Sequence, residues 1–397
     1  MISVEEAQQR IIHNVTPLPE EQLPLNQTLE RVLTKSVHAC RANPPAAVSA
    51  MDGYALRAKD ASGPLRIVGL SAAGAPYLSL LKQGECVRIY TGAHVPEGAD
   101  SILIQENALV EKHSLSPQSV PKIGDHIRKK GLDYAEGDVL IEKGTCLGAR
   151  DLGLAASTGL DMLTVRSMPR VILLSTGSEL VIPGSREKLT AAQIYESNMS
   201  MIGPLVAGFG GKVIQVQCIP DDLPKTVDAI RQALESQVDV IVTIGGASVG
   251  DHDLIRAGLE ACAVKPDFWK VAMRPGKPVF AARDGQSHIL GLPGNPVSAY
   301  VCAMVFLRPL LMALLGARDV FPVVRHARLA QTVAANGERQ AYLRATIVEG
   351  SDGPEVKTLP HQDSALLKPL AQASALLIRS PHAPLAEAGS WQPVILL

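Results

Sequence analysis

Glycine turns flanked by carboxylates recur along this chain in a pattern suited to holding a phosphate. TIGGASVGDHD (243–253) follows an apolar run, Val238 to Ile244, that reads as a fully buried strand, and precedes a helical stretch from Leu254 to Cys262. At such a turn Gly245, Gly246 and Gly250 let the backbone approach a ligand, the helix start offers N–H groups to an anion, and Ser248 adds a hydroxyl. Asp251 and Asp253 add oxygens able to hold a metal. A tight turn with Ser248 or Asp251 capping the helix explains the same residues without a ligand. Related turns are STGSE (175–179), IPDD (219–222) and GLPGNPVS (291–298). Each has its own plain explanation: Glu179 as a solvated turn residue, Asp221 with Asp222 as a helix cap, Asn295 as N-cap with Pro296 at the first helical position.

Taken together these turns say more. Open α/β sheets bind ligands beyond the carboxyl ends of their strands, and FWKVAMRPGKP (268–278) adds Lys270, Arg274 and Lys277 within eight residues. Carboxylates at these turns beside three cations match a Mg²⁺-bridged phosphate, with hard oxygen ligands for the metal and Lys and Arg for the remaining charge. The chain lacks G-x-x-x-x-G-K-[ST] and has no G-x-G-x-x-G after its first α/β strand, so P-loop and dinucleotide-binding folds are poor fits.

The elements that would position these residues alternate from Arg170 to Gly316. Strands are expected at Val171–Leu174, Val213–Ile219 and Val238–Ile244, and around Val279 and Ile289. Helices are expected at Asn198–Phe209, Leu223–Ser236 and Leu254–Cys262, with a long one from about Pro296. This alternation predicts a doubly wound, mostly parallel sheet covered on both faces. Ser3 with Glu6 forms a capping-box pattern for a first helix, and Leu25 to Val37 reads as a second. Short apolar runs from 42 to 144 predict a β-rich insertion, with SLSPQSVPKIGD (114–125) as a loop inside it and a helix from Asp151 to Gly159 after it. The last segment predicts a small β-barrel or sheet. The expected division is a helical and linker domain (1–41 and 145–168), an inserted β domain (42–144), an α/β domain (169–318) and a C-terminal β domain (319–397).

Composition narrows the class. With 397 residues and 46% hydrophobic side chains the chain can fill several cores, and 38 basic against 39 acidic residues argue against non-specific nucleic-acid binding. The six cysteines (Cys40, Cys86, Cys146, Cys218, Cys262, Cys302) form no C-x-x-C pair, so reduced thiols and a cytoplasmic setting fit best. MISVEEAQQR has no apolar core of a secretory signal. Tyr300 to Leu315 contains Arg308 and Pro309 and falls short of the ~20 residues of a membrane span.

The β insertion carries a second cluster. SAMDGYALR (49–57), YTGAHVPEGAD (90–100) and IRKKGLDYAEGD (127–138) place Asp52, Thr91 and Asp133 beside glycines and a basic run from Arg128 to Lys130. Lys129 and Lys130 by themselves read as a solvated face. With these segments, RIYTGAHVPEGAD, STGSEL, QIYESN, GGASVGDHD, FWKVAMRPGKP and GLPGNPVSA follow one another across almost the whole chain. In that order they resemble the molybdopterin molybdenumtransferase family, MoeA in bacteria and the C-terminal half of gephyrin in animals.

The resemblance implies an enzyme that takes adenylylated molybdopterin and molybdate, releases AMP and leaves molybdenum on the dithiolene sulfurs, assisted by Mg²⁺. It also implies an elongated four-domain homodimer, with possible contacts to the molybdopterin adenylyltransferase and to apo-molybdoenzymes, and with neither nucleic acid nor membrane as a partner. Position by position it assigns Glu179, Asp221 and Asp253 to the α/β part of the site, and Asp52, Thr91 and Asp133 to the partner chain. Lys270, Arg274 and Lys277 would meet phosphate or molybdate, Pro293 and Pro296 would shape the pocket, and Arg344 and Ser364 would approach from the C-terminal domain. The chain departs from the family pattern in three places: Ser178 stands where T-G-D-E has its aspartate, AAV (46–48) replaces a segment that often bears an acid, and HQDS (361–364) has Asp363 where a small neutral residue is common. A non-catalytic molybdopterin-binding scaffold and a molybdopterin adenylyltransferase are the alternatives. The extra β and C-terminal segments argue against the adenylyltransferase, which needs only the α/β domain.

Overall fold

The computed structural model describes residues 1–185, 188–246, 254–350 and 353–397. The chain divides into two compact units: one made of Met1–Thr34, Gly144–Gly148 and Met162–Leu397, the other of Lys35–Lys143 and Ala149–Asp161.

The larger unit is built on a six-stranded sheet. Its elements are β1 (Arg170–Thr176), α1 (Asn198–Gly208), β2 (Lys212–Ile219), α2 (Leu223–Glu235), β3 (Val240–Ile244), α3 (Leu254–Ala261), β4 (Pro266–Phe268), β5 (Phe280–Asp284), β6 (Ser287–Leu292) and α4 (Pro296–Cys302). The strand order is β2-β1-β3-β6-β5-β4. The first four strands run parallel, β5 turns back antiparallel to β6 through their hairpin, and β4 at the edge pairs antiparallel with β5. Alternate side chains of β1 serve opposite faces, as the strand period of two requires. Val171 and Leu173 join Ile202 and Val206 of α1 on one face, while Ile172 and Leu174 join Ile230 of α2 and Leu259 of α3 on the other.

The apolar helix beginning at Pro296 runs nearly unbroken to Leu314, and it carries a π turn at Ala303–Leu307. Pro309 explains the irregularity, because it has no N–H to offer the carbonyl of Val305 four residues back. That carbonyl accepts instead from the Val4–Ile12 helix, whose Gln8 Nε2 donates to Val305 O at 3.0 Å. The Pro296–Leu314 stretch spans 19 residues, longer than the expected core run and long and apolar enough to cross a membrane by those criteria. It is 83% buried within the protein, which identifies it as a core helix.

The opening helix forms as expected, with the Ser3 hydroxyl accepting Glu6 N–H at 3.0 Å. The expected second helix does not. Only Leu25–Gln27 makes a 3₁₀ turn, after which Leu33 N–H donates to Thr145 O and Thr34 N–H to Thr164 O. Val32, Thr34 and Val37 are β-branched, and extended partners at 144–147 and 162–166 capture the backbone of residues 32–34, and Ile141 that of Val37, before a helix can form. Likewise Ser114–Pro117, expected to open a loop, is a strand paired with Ala108–Glu111.

Beyond the sheet, β7 (Val324–Leu329), β8 (Gln340–Gly350), β9 (Gly353–Thr358), β10 (Ala375–Arg379) and β11 (Trp391–Leu396) pair as β8-β9-β7-β11-β10, and β10 pairs again with β8. Leu329, Ala345, Val356, Leu377 and Val394 fill the space these strands share. The smaller unit holds its own six-stranded sheet, in the order Ser101–Ile104, Gly53–Leu56, Glu85–Ile89, Leu65–Ser71, Ser114–Pro117, Ala108–Glu111. The Ala149–Ser157 helix joins this unit, and Tyr134 Oη lies 2.8 Å from Ser157 Oγ.

Two consequences are measurable. Gln8→Leu leaves the Val305 carbonyl without its donor, which costs about 1–3 kcal/mol, so the urea midpoint should fall; an unmoved midpoint removes this bond from the account. Burial, aided by Arg283, pushes His288 in β6 down from 6.5 to about 4. The unfolded chain therefore takes up this proton at higher pH than the folded one. Stability is full above pH 6.5 and declines as pH falls to 4, by on the order of 3 kcal/mol. His288→Gln should flatten that slope.

Candidate functional site

The carboxyl ends of β1, β2, β3 and β6 open into a cleft of about 690 Å³. β1 lies between β2 and β3, so the connections leaving β1 and β2 depart to opposite faces of the sheet, and the crevice falls at this switch point. Glu179 follows β1, Asp221 follows β2, Gly245 and Gly246 follow β3, and Pro293 to Pro296 follow β6. Glu179, Asp221, Gly245, Gly246, Pro293 and Pro296, all expected α/β positions and the first two expected metal ligands, thus share one wall system.

Local geometry explains the residue choices. Gly245 and Gly246 have φ of +86° and +63°. A Cβ on Gly245 would lie 2.8 Å from Thr176 O, and one on Gly246 2.9 Å from Thr176 Oγ1. A side chain at either position would therefore be strained and would force β1 and β3 apart at the cleft floor. The Glu179 carboxylate folds back over Gly177, where a Cβ would sit 2.6 Å from its Oε2. Asp221 is locked by a reciprocal pair: Ser178 N–H donates to Asp221 Oδ2 at 2.9 Å, and Asp221 N–H donates to Ser178 Oγ at 2.9 Å. Asp222, not Asp221, caps α2 by accepting Lys225 N–H. Nearby, burial raises the Cys218 thiol above its ordinary value, and the charges of Glu196 and Glu179 raise it further.

Other residues on the cleft wall come from the QIYESN segment. Asn198 lines the cleft and donates Nδ2 to Gly294 O at 2.7 Å. Glu196, buried, accepts Met199 N–H at 3.0 Å and so caps α1. Ile194 and Tyr195 are exposed at the rim. Asn295 lines the cleft as well, and its side chain, expected to cap α4, donates instead to Ser364 Oγ at 2.9 Å.

Several expected residues lie elsewhere. Ser248, Gly250 and Asp253 fall outside the described residues. Lys270, Arg274 and Lys277 are exposed, and their segment reaches the cleft through Pro278. Ser364 meets the wall from behind, through Asn295 and through Val297 N–H, which donates to Ser364 O at 3.0 Å. Arg344 does not line the cleft. It is 1% exposed, and its guanidinium donates to His361 O, Leu366 O and Gln362 Oε1.

In the smaller unit, Asp52 Oδ1 accepts Thr91 N–H at 2.7 Å and Thr91 Oγ–H at 2.8 Å. These bonds, the backbone one foremost, hold the Asp52 carboxyl below its ordinary value, with the nearby Arg88 charge helping. Arg88 itself stacks over Tyr54 and Tyr90. Asp133 lines a different hollow with Asn43, Pro44 and Arg128, and accepts from Asn43 Nδ2 at 3.1 Å. Removing one donor tests the Asp52 arrangement: in Thr91→Val the backbone bond stays, so the Asp52 midpoint, followed by carboxyl NMR, should rise part of the way to an ordinary aspartate. An unchanged midpoint would show that the hydroxyl contributes nothing.

Residues 2–159 match the MoeA N-terminal region (domain I and II), 172–313 a probable molybdopterin binding domain, and 326–397 the MoeA C-terminal region (domain IV). The chain is 36% identical over 392 residues to molybdopterin molybdenumtransferase 2 of Mycobacterium tuberculosis, covering 95% of each chain. It is 34% identical over 323 residues to the molybdopterin molybdenumtransferase of Haemophilus influenzae, covering 80% of this chain and 79% of that one. A solved MoeA protein from Pyrococcus horikoshii, 26% identical, superposes with a TM-score of 0.80 over 100% of this chain and 99% of its own. By sequence and by fold, the chain belongs to the MoeA family of molybdopterin molybdenumtransferases.

Proposed function

We propose that this protein transfers molybdenum from molybdate to adenylylated molybdopterin with release of AMP, a step of molybdenum cofactor biosynthesis. The observation that carries this reading is the placement of Glu179 and Asp221, from neighbouring strand ends, on one wall of the switch-point cleft beside the Gly245–Gly246 turn. A phosphoanhydride fits such a place when a divalent cation bridges it to the carboxylates, since the glycine turn allows close backbone approach and the carboxylates hold the cation.

The donor set fits Mg²⁺, a hard cation held by one or two carboxylates together with substrate phosphates. Glu179 and Asp221 would hold it, and we assign Asp253 the same role. When bound there, the ion supplies Lewis-acid stabilisation of charge on the pyrophosphate. The chain's own residues do the rest. Ser178 fixes the Asp221 carboxylate through the reciprocal bonds and so takes over the ordering of the turn that carries an aspartate in the usual family pattern. Lys270, Arg274 and Lys277, exposed on one segment, supply positive charge for phosphate or molybdate. A water attacks the phosphorus of the AMP moiety, the anhydride P–O bond breaks with its electron pair going to the pterin phosphate, and AMP leaves carrying the water's oxygen; the two dithiolene sulfurs displace one oxygen of molybdate, which departs as water with the thiol protons. Positioning provides most of the rate in such a reaction.

Asp52, Thr91 and Asp133 enter this reading as residues supplied by a partner chain, and a cytoplasmic homodimer is part of it. AMP release from adenylylated molybdopterin in the presence of molybdate and Mg²⁺ is the test. Glu179→Gln and Asp221→Asn should each lower turnover by about 10²-fold or more, in line with losing a charge-stabilising group, while the circular dichroism spectrum stays that of the unmodified protein. Full-rate turnover by either variant would remove that carboxylate from the site; binding without AMP release by the unmodified protein would identify a scaffold.

A further inference from the structure

One aromatic side chain stands at the cleft rim with its ring exposed. Among the described residues that line the cleft, Tyr195 is the single aromatic, and it is 49% exposed. Its ring meets no other aromatic ring and no guanidinium among the described residues. Tyr90, comparably exposed, carries Arg88 over its ring. The Tyr195 backbone, by contrast, is fixed on both sides. Leu180–Val181 and Ile194–Tyr195 form a short parallel pair in which Ile194 N–H donates to Glu179 O and Glu196 N–H to Val181 O, each at 2.9 Å. The next residue, Glu196, is buried, and its carboxylate accepts Ser175 Oγ–H at 3.3 Å and Met199 N–H at 3.0 Å. Tyr195 is therefore tied to the end of β1 and to the start of α1, while its ring is left to solvent. In register it lies opposite Val181, two residues beyond Glu179. Two residues of rise and one strand spacing put its backbone about 8 Å from that of Glu179.

We propose that Tyr195 is a specificity-determining residue: its ring is the platform on which a flat heterocycle of the substrate stacks while the pyrophosphate is held beside Glu179 and Asp221. The face of a heterocycle covers an exposed aromatic ring and gains stacking in doing so. A platform whose backbone is fixed before binding loses little freedom when it is used, since tyrosine has only two side-chain torsions to order. Adenylylated molybdopterin carries a flat ring on each side of its pyrophosphate, adenine on one and the pterin on the other. Either reaches the platform through a single sugar or pyran. Stacking does not depend on the charge that develops at the phosphates, so ring recognition and anhydride cleavage fall to separate residues. The contact is the same in ground state and transition state, and its loss raises KM and spares kcat.

The ligand in this proposal rests on the transferase reading, and the test separates the two. AMP release is measured at varied adenylylated molybdopterin for the unmodified protein, Tyr195→Phe and Tyr195→Ala, and the binding of AMP and of ribose 5-phosphate to each is measured by calorimetry. Substitution at this exposed position leaves the cores intact. In Tyr195→Ala the KM should rise about tenfold, the size of one base–aromatic stack, with kcat within about twofold, and Tyr195→Phe should keep both. Ribose 5-phosphate, which has no ring, should bind all three proteins alike. A tenfold loss of AMP affinity in Tyr195→Ala identifies adenine as the stacked ring; unchanged AMP affinity beside the raised KM identifies the pterin. An unaltered KM in Tyr195→Ala overturns the proposal. An equal loss in Tyr195→Phe overturns it too, because the contact then lies at the hydroxyl, as does a fall in kcat alone. A Tyr195→Ala protein that sediments at a different mass from the unmodified one also overturns it, since the ring then belongs to a subunit contact. An unmodified protein that releases no AMP defeats the transferase reading instead, and the AMP comparison alone then decides: tenfold weaker binding by Tyr195→Ala upholds the platform, and equal binding removes it.

Discussion

The placement of β1 between β2 and β3 is the constraint on which the rest of this structure hangs. Parallel strands need right-handed crossovers, so a strand flanked by both its successors sends α1 to one face of the sheet and α2 to the other. Nothing can then cover the carboxyl end of β1, and a crevice opens there without any residue having to be spent on making it. Thr176 floors it, and Gly245 with Gly246 lets β3 end against Thr176 without collision. The two core clusters follow from the same order, since each face of the sheet must be sealed by the helices delivered to it.

Once the crevice exists, local polar bonds decide what it can hold. The Ser178–Asp221 pair uses two backbone N–H groups and two side-chain acceptors to pin a carboxylate that would otherwise be free to turn into solvent. The substitution of serine in the T-G-D-E pattern therefore removes one charge but adds an acceptor for a backbone donor. A comparable logic runs through the smaller unit, where two donors from Thr91 hold the Asp52 carboxyl below its ordinary value. Asp363, the other conspicuous departure, spends one carboxylate oxygen on Ala365 N–H at 2.8 Å, so that it shapes its own turn.

What the sequence made legible was local or periodic. The Ser3 cap, the strand-to-helix turns at 175–179, 219–222 and 291–298, and the alternating run from β1 to α4 each announce themselves within a dozen residues. Leu25–Val37 misled because its helical spacing competes with extended partners more than a hundred residues away, which no window on the chain can display. Arg344 was legible as a residue of interest but not as a buried one, since its acceptors are carbonyls and carbonyls carry no sequence signal. Asn198 was visible only as a letter in QIYESN; its partner, Gly294 O, is again backbone.

The bond from Gln8 to Val305 spans 297 residues of chain. During vectorial synthesis the opening helix leaves the ribosome roughly 15 to 60 s before its acceptor is made, at ordinary elongation rates. Its apolar stripe of Val4, Ala7 and Ile11 belongs to a core whose helices and strands are mostly still untranslated. This helix is thus seated only after the far end of its core has been made, so its apolar stripe stays without most of its partners through much of synthesis.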